Sequence, residues 1–138
     1  MVIFEKKRTT IKEIAEDIVK GARGKREEFD RICGFVRAFH YRLGEWETPA
    51  SETLLKGYGQ CANKNNLAVA MLRSRGIAAC YDKISLKLRF REYIERYDKD
   101  LANQIPEETD HIRGRAYIEG RLIVFDLSLD PDLERGFA

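Results

Sequence analysis

The pattern of apolar residues near the start of the chain predicts two helices. Thr10 and Glu13 form a capping-box pattern, and residues at helical spacing then make one apolar face: Ile11, Ile14, Ala15, Ile18, Val19 and Ala22. After two glycines, a second apolar stripe predicts a helix over residues 25–41, with His40 near its end. We therefore assign residues 1–43 to N-terminal helices.

The middle of the chain passes from irregular sequence to a strong helix pattern. Residues 44–59 have no clean period and hold glycines and a proline, which predicts mainly a loop with a short helical turn near residues 52–55. A third helix is predicted from Cys61 to Gly76, because Ala, Leu and Met recur over residues 62–72 and glycine commonly follows a helix end.

Strand patterns occupy the second half of the chain. From Ile84 apolar and polar residues alternate, which predicts a strand with one face in solvent. Residues 91–110 are highly charged and predict a connecting segment outside the sheet, with a helix near residues 93–103. Residues 116–118 and 122–125 flank a Glu-Gly-Arg turn and predict a β-hairpin.

The order of these elements predicts the fold class. Residues 127–138, with Pro131 at their centre, predict a loop and tail. Helices followed by a meander of strands indicate a single α+β domain, in which N-terminal helices and a central Cys-bearing helix pack on an antiparallel β-sheet. The predicted core covers residues 44–130, and residues 131–138 form a C-terminal tail.

Composition narrows the class of protein. The chain has 138 residues and a hydrophobic fraction of 43%, which suits one globular domain. Its 25 basic and 23 acidic residues leave a net charge of +2, which gives no reason to expect a nucleic-acid or membrane-surface partner. The charged fraction of 35% predicts an ion-paired surface. Three cysteines, an odd number, argue against a disulfide scaffold, so we expect a cytoplasmic protein. The sequence does not indicate an oligomeric state.

Cys61, His111 and Asp126 are the candidate catalytic residues. Cys61 opens the third predicted helix, where unpaired N–H groups and the helix dipole favour a thiolate. A turn at residues 119–120 sets position 113 opposite 126, which brings His111 and Asp126 to the same end of the hairpin. A shift of one or two residues in register would let the carboxylate reach the imidazole. Cysteine, histidine and aspartate together suit acyl transfer. Taken singly, Cys61 also suits a small buried residue, and the other two a surface ion pair.

The segments around these residues resemble the transglutaminase-like family. The sequence GYGQC at residues 57–61, then RGIAA at residues 75–79, resembles the family's nucleophile block and the end of its helix. The sequence YIEGRLIVFD at residues 117–126 resembles its second block. The resemblance spans residues 39–130 and implies a papain-like core. It also implies that Cys61 is the nucleophile, His111 the general base and acid, and Asp126 the orienting carboxylate.

The sequence departs from the family near the histidine. Arg113 and Arg115 stand where members often have an aromatic residue and a glutamate, and Leu127 replaces the proline that usually follows the aspartate. These changes leave the three candidate residues in place but bear on substrate specificity. We take Arg113 and Tyr58 as candidate substrate-binding residues.

Oxyanion stabilisation and metal binding complete the candidate chemistry. The Cys61 backbone N–H is one expected oxyanion donor, and the side chains of Gln60 and Trp46 are candidates for the second. The cysteines show no C-x-x-C spacing and neither histidine has a second ligand nearby in sequence, so we predict no metal site. Cys33 and Cys80 are interpreted as structural residues.

The main hypothesis is a transglutaminase-like cysteine hydrolase or acyltransferase acting on amide bonds of a peptide or protein through a thioester, without a cofactor. The alternative is a protein-binding module that retains the fold without catalysis. Arg113 and Arg115 beside His111 motivate that alternative.

Overall fold

The computed structural model describes residues 10–87, 90–104, 108–128 and 130–136. Its elements follow in the order α1 (Ile11–Ile18), α2 (Lys25–Arg37), β1 (His40–Tyr41), α3 (Ala50–Lys56), β2 (Tyr58–Gly59), α4 (Cys61–Ser74), β3 (Ala78–Lys87), α5 (Phe90–Glu95), α6 (Lys99–Asn103), β4 (Glu108–Ile118), β5 (Arg121–Phe125) and α7 (Pro131–Gly136). The predicted α+β class is confirmed, since helices accompany an antiparallel sheet.

Strands β3, β4 and β5 form the antiparallel sheet, with β4 in the middle. The hairpin between β4 and β5 turns at Glu119 and Gly120, whose φ angles of 52° and 79° are the positive values that a two-residue type I′ turn requires. Gly114 lies opposite Phe125. Carried one residue further, this register sets Asp126 beside Arg113, as the sequence predicted.

Helix α4 lies at the centre of the molecule. It packs on β3 and β4 and is contacted by α1, α2 and α3. Leu67, Met71 and Leu72 of α4 are fully buried, and burial of each such side chain stabilises the fold by roughly 1.5–3 kcal/mol. The sheet therefore has one face covered by the helix that begins at Cys61.

The first predicted helix and its cap are confirmed by α1. The Thr10 hydroxyl oxygen accepts a hydrogen bond from the Glu13 backbone N–H at 3.2 Å, and Ala15 and Val19 of the predicted apolar face are buried. Residues 1–9 of the predicted N-terminal segment lie outside the described residues.

The second helix ends earlier than predicted. Helix α2 stops at Arg37, and His40 and Tyr41 form β1, which pairs in parallel with β2. The predicted helix bound at residue 41 was therefore wrong, and His40 lies just beyond the helix, on a strand. A two-residue strand pairing has no periodicity of its own, so an apolar stripe cannot reveal it.

The structure also differs from the predictions for three of the connecting segments. The short turn expected near residues 52–55 is the longer α3, and the helix expected near residues 93–103 is divided into α5 and α6. The predicted C-terminal loop contains α7, which begins at Pro131, where a missing N–H costs no hydrogen bond. Among the residues described, none of the helices is long and apolar enough to cross a bilayer.

Candidate active site

The nucleophile candidate Cys61 is the first residue of α4 and is 6% exposed. The turn into the helix is tight: a Cβ atom on Gly59 would lie 2.7 Å from Cβ of Asn63, so only glycine fits there without a shift. The Asn63 side-chain oxygen accepts a hydrogen bond from the Gln60 backbone N–H at 3.1 Å. These contacts fix the position of the Cys61 backbone at the helix start.

His111 lies on β4, and its Nε2 atom is hydrogen-bonded to Oδ2 of Asp126. Asp126 directly follows β5 and lies opposite Arg113, two residues along β4 from His111. The hydrogen bond therefore runs diagonally between the two strands. No shift of register is needed, because diagonal neighbours on one face of a sheet are within reach of longer side chains. The structure therefore brings together two of the three residues that the sequence singled out.

The second oxygen of Asp126 is held by donors from Ser128 and Asn65. Oδ1 accepts from the Ser128 backbone N–H at 3.1 Å, from the Ser128 hydroxyl, and from the Asn65 amide at 3.3 Å. Burial raises the pKa of Asp126, but the hydrogen bonds from Ser128 and His111 and the His111 charge outweigh it and hold that pKa below its ordinary value. Asp126 is therefore an ionised acceptor at neutral pH.

Asn65, one turn after Cys61, joins the three candidate segments. Its side chain is fully buried, and its amide nitrogen lies 3.0 Å from the carbonyl oxygen of Cys61 and 2.9 Å from that of Ile112. Its side-chain oxygen accepts a hydrogen bond from the Leu127 backbone N–H at 2.9 Å. One amide group thus contacts the residue bearing the thiol, the residue after His111 and the residue after Asp126.

Lys64, the preceding residue on α4, is also fully buried. Its ammonium donates to the carbonyl oxygens of Arg37 at 3.1 Å, Phe39 at 2.6 Å and Ser128 at 3.1 Å. Burial lowers the pKa of Lys64 to about 8, although the negative charges of Asp130 and Asp126 oppose that shift. Lys64 therefore joins the end of α2 to the segment that follows Asp126.

Tyr41 of β1 places a phenol close to the candidate residues. Burial raises its pKa, and electrostatic interactions with Cys61 and Asp126 raise it further. Its backbone N–H donates to Oδ2 of Asp130 at 2.8 Å. The sequence pattern, which placed residues 25–41 in one helix, gave no reason to include Tyr41.

Gln60, a candidate oxyanion donor, and its neighbour Asn63 both contact the loop at residues 44–46, which contains the other candidate donor, Trp46. The Gln60 side-chain amide donates to the Gly44 carbonyl oxygen, and that of Asn63 donates to the carbonyl oxygens of Glu45 at 2.8 Å and Trp46 at 3.5 Å. The Trp46 side chain is 43% exposed. Since one Gln60 donor is already used, the choice between Gln60 and Trp46 as oxyanion donor stays a prediction.

The other two candidate substrate-binding residues pack against charged groups. The Arg42 guanidinium lies 4.5 Å from the centre of the Tyr58 ring. Arg113 and Arg115 lie beside Asp82 of β3, with N–O distances of 3.6 and 2.7 Å. Both arginines that motivated the binding-module alternative thus have the same carboxylate of Asp82 as an acidic neighbour, with their Nε atoms buried against it.

One group in the described part of the chain has the atoms to bind a cation: His40, Asp130 and Asp132 offer ligand atoms within 4.8 Å of one another. Each carboxylate already has a partner, because Asp130 accepts from the Tyr41 backbone N–H and Asp132 pairs with Arg135. All three cysteines are free thiols; Cys33 is buried, whereas Cys80, which we interpreted as structural, is exposed.

Sequence reasoning missed Lys64, Asn65 and Ser128, although a signal for the first two was present. They stand three and four residues after Cys61, on the same side of α4 as Cys61 and Ala68. Polar residues on the buried face of a helix need hydrogen-bond partners, and here those partners flank the candidate residues.

Comparisons with known proteins give one family match and two similar structures, and one comparison finds no match. A model of the transglutaminase-like superfamily matches residues 12–87. The fold is similar to that of a putative cysteine protease from Cytophaga hutchinsonii, with a TM-score of 0.65 and 19% identity over 85% of this chain and 36% of that chain. It is also similar to a putative protease from Parabacteroides distasonis, with a TM-score of 0.59 and 15% identity over 83% of this chain and 22% of that one. No curated protein matches the sequence.

Proposed function

Because the chain belongs to the transglutaminase-like superfamily, we propose that it is a cysteine hydrolase or acyltransferase acting on amide bonds. Cys61 is the nucleophile, His111 the proton carrier and Asp126 the carboxylate that orients His111. The substrate is a peptide or protein, and the mechanism requires no cofactor. Free thiols suit a reducing, cytoplasmic setting.

The hydrogen bond between His111 Nε2 and Asp126 Oδ2 carries this proposal. An ionised carboxylate can only accept, so Nε2 of the neutral imidazole bears the hydrogen and Nδ1 is the unprotonated nitrogen. That tautomer lets Nδ1 take a proton from a thiol, while the carboxylate stabilises the imidazolium that results.

The reaction then consists of two acyl transfers. The Cys61 proton passes to His111 Nδ1, and the sulfur attacks the amide carbonyl carbon. The tetrahedral intermediate collapses, the C–N bond breaks, and the leaving amine takes the proton from Nδ1, which leaves a thioester on Cys61. Water, or a second amine, attacks the thioester with Nδ1 as base, and the thiol leaves with that proton. Hydrolysis is favoured over transfer because water is always available.

The reactivity of the Cys61 thiol can be measured separately from that of Cys33 and Cys80, for two reasons. In a Cys80→Ser background the exposed thiol is absent. Burial raises the pKa of Cys33 to about 12, so that thiol stays protonated and unreactive at neutral pH. Alkylation by iodoacetamide in this background therefore reports on Cys61.

We expect His111→Ala to slow alkylation of Cys61 at pH 6.5 by about tenfold or more, since a positioned base contributes at least that much. Hydrolysis of p-nitrophenyl acetate should be abolished by Cys61→Ala and strongly reduced by Asp126→Asn. His40→Ala is the matched histidine control, because His40 is exposed on β1. Equal alkylation rates with and without His111 would rule out the mechanism. A folded chain inert toward both probes would instead favour the binding module.

A further inference from the structure

The side chain of Asn65 has more contacts than helix formation requires. Its amide nitrogen reaches the Cys61 carbonyl oxygen on its own helix and the Ile112 carbonyl oxygen on β4. Its oxygen accepts from the Leu127 N–H, in the segment after β5. Ile112 follows His111 and Leu127 follows Asp126, so the three segments that carry the proposed catalytic residues meet at one side chain.

On the basis of the function proposed above, we infer that Asn65 is a positioning residue, which sets the distance and orientation of Cys61, His111 and Asp126 relative to one another. It contacts no substrate and moves no proton. It acts on the backbone beside each of the three residues. Its two amide hydrogens are donated to the carbonyl oxygens of Cys61 and Ile112, and Oδ1 of Asp126, 3.3 Å from the amide nitrogen, shares one of them.

The surroundings of Asp126 show why this contact matters for orientation. Asp126 must present Oδ2 to His111, which requires the carboxylate to be held at its other oxygen. Ser128 and Asn65 supply the donors to Oδ1. The charged and titratable groups that act on this region are His111 on β4, Lys64 on α4, and Tyr41 and Asp130 near β1. Lys64 reinforces the same segment by donating to the Ser128 carbonyl oxygen.

Asn65 also occupies a place that an apolar residue would fill in an ordinary core helix. Its side chain is fully buried between α4 and β4, and all its polar atoms have partners. A buried amide with several partners is costly to disturb, because the loss of one side leaves polar groups unsatisfied. A stability effect alone therefore does not identify a positioning residue, and the test needs a readout of geometry.

The neighbouring Asn66 provides a matched control. It has the same side chain, lies one position further along α4 and is half-buried. The variants to compare are Asn65→Ala, Asn65→Ser and Asn66→Ala. Serine keeps a donor and an acceptor but is too short to reach β4, and thermal unfolding of each variant sets a temperature at which it is folded.

Two readouts separate geometry from stability. The first is kcat and KM for p-nitrophenyl acetate as the acyl donor. The second is the imidazole ¹⁵N spectrum of His111, measured in a His40→Gln background, since the chain has only two histidines. Neutral His111 should be a single Nε2–H tautomer in the unsubstituted chain.

We expect the Asn65 variants to lower kcat by about 10- to 100-fold, the scale of small misplacements of catalytic groups, with KM changed less than about twofold. Their His111 spectra should show mixed tautomers, whereas Asn66→Ala should change neither readout. An Asn65 variant that loses stability but keeps kcat and a single tautomer would overturn the inference and leave the proposed function intact.

Failure of the proposed function would look different. If the unsubstituted chain itself does not turn over p-nitrophenyl acetate, the catalytic proposal fails, while the tautomer spectra still decide the role of Asn65. Mixed tautomers in the Asn65 variants would then support positioning of the His111–Asp126 pair, and an unchanged spectrum would refute it.

Discussion

At the scale of single residues, Lys64 and Asn65, two of the three buried polar side chains of α4, differ in the free-energy cost of their burial. The Asn65 amide is neutral, and its hydrogen bonds offset its burial. The Lys64 ammonium is charged, and three carbonyl oxygens replace only part of its hydration. The pKa of Lys64 is lowered because this part of the hydration energy is lost. In return, the three hydrogen bonds of Lys64 join α2 to the segment after Asp126.

The charge of Lys64 predicts how stability depends on pH. Its pKa is about 8 in the folded chain against an ordinary value of 10.5, so between these values the unfolded chain binds more protons. The charged Lys64 therefore lowers the free energy of unfolding at pH 7, and this destabilisation disappears as the pH rises from 8 towards 10.5.

We expect the free energy of unfolding of the natural chain, relative to Lys64→Met, to rise by on the order of 2–3 kcal/mol between pH 7 and pH 10. Urea unfolding at several pH values measures the difference. Lys12→Met, at an exposed position of α1, controls for the loss of one lysine charge. A difference that stays constant over this pH range would contradict the account of Lys64.

At the scale of elements, local chemistry determined what could be predicted from the sequence. Helix α4 and the β4–β5 hairpin follow from periodicity and from a Glu-Gly turn, which are local signals. Strand β1 could not be predicted, because two residues paired with a strand elsewhere in the chain carry no pattern. The same holds within the site. Cys61, His111 and Asp126 could be proposed from residue type and spacing, whereas the partners of Asn65 lie on β4 and beyond β5 and depend on tertiary packing.

The β4–β5 hairpin depends on Gly114, which is buried opposite Phe125. A Cβ atom at residue 114 would overlap the Phe125 ring, and that ring packs edge-to-face on Phe29 of α2. Any larger residue must therefore displace a side chain that joins the sheet to the N-terminal helices.

We expect Gly114→Ala to destabilise the fold by about 1–3 kcal/mol, the usual cost of overpacking a core. Gly34→Ala is the matched control, since Gly34 lies within α2 and nothing is within 4 Å of an added Cβ. That substitution should stabilise the chain by about 0.4–1 kcal/mol. Thermal unfolding of both variants tests the pair, and equal effects would refute the close packing of Phe125 on Gly114.

At the scale of the whole molecule, α4 is held to α2 at both ends. Near its start, Lys64 donates to the carbonyl oxygens of Arg37 and Phe39, at and beyond the end of α2. Near its far end, Arg75 pairs with Glu28 of α2 at 3.0 Å. The helix that carries Cys61 is thus fixed by polar contacts at both ends and by the apolar core between them.

Several ion pairs among the described residues are exposed and local, as in Arg26–Asp30, where both side chains are 57% exposed. Such pairs contribute roughly 0–1 kcal/mol. The Glu28–Arg75 pair differs, because the Glu28 side chain is only 11% exposed and Arg75 comes from a different helix end. The ion-paired surface predicted from composition therefore contributes unequally to stability.

We expect Glu28→Gln to lower the free energy of unfolding by about 1–3 kcal/mol, because it leaves Arg75 without a charged partner in a partly buried position. Asp30→Asn, the control within the same helix, should change stability by less than about 0.5 kcal/mol. Neither substitution should alter the His111 tautomer, since the ion pairs of Glu28 and Asp30 are with Lys25, Arg26 and Arg75, outside the segments that Asn65 joins. Urea unfolding and the ¹⁵N spectrum of each variant test these expectations. Equal losses of stability in the two variants would show that the Glu28–Arg75 pair is no stronger than an exposed pair. A changed His111 tautomer would show that the geometry of His111 depends on the position of the whole of α4, and not on Asn65 alone.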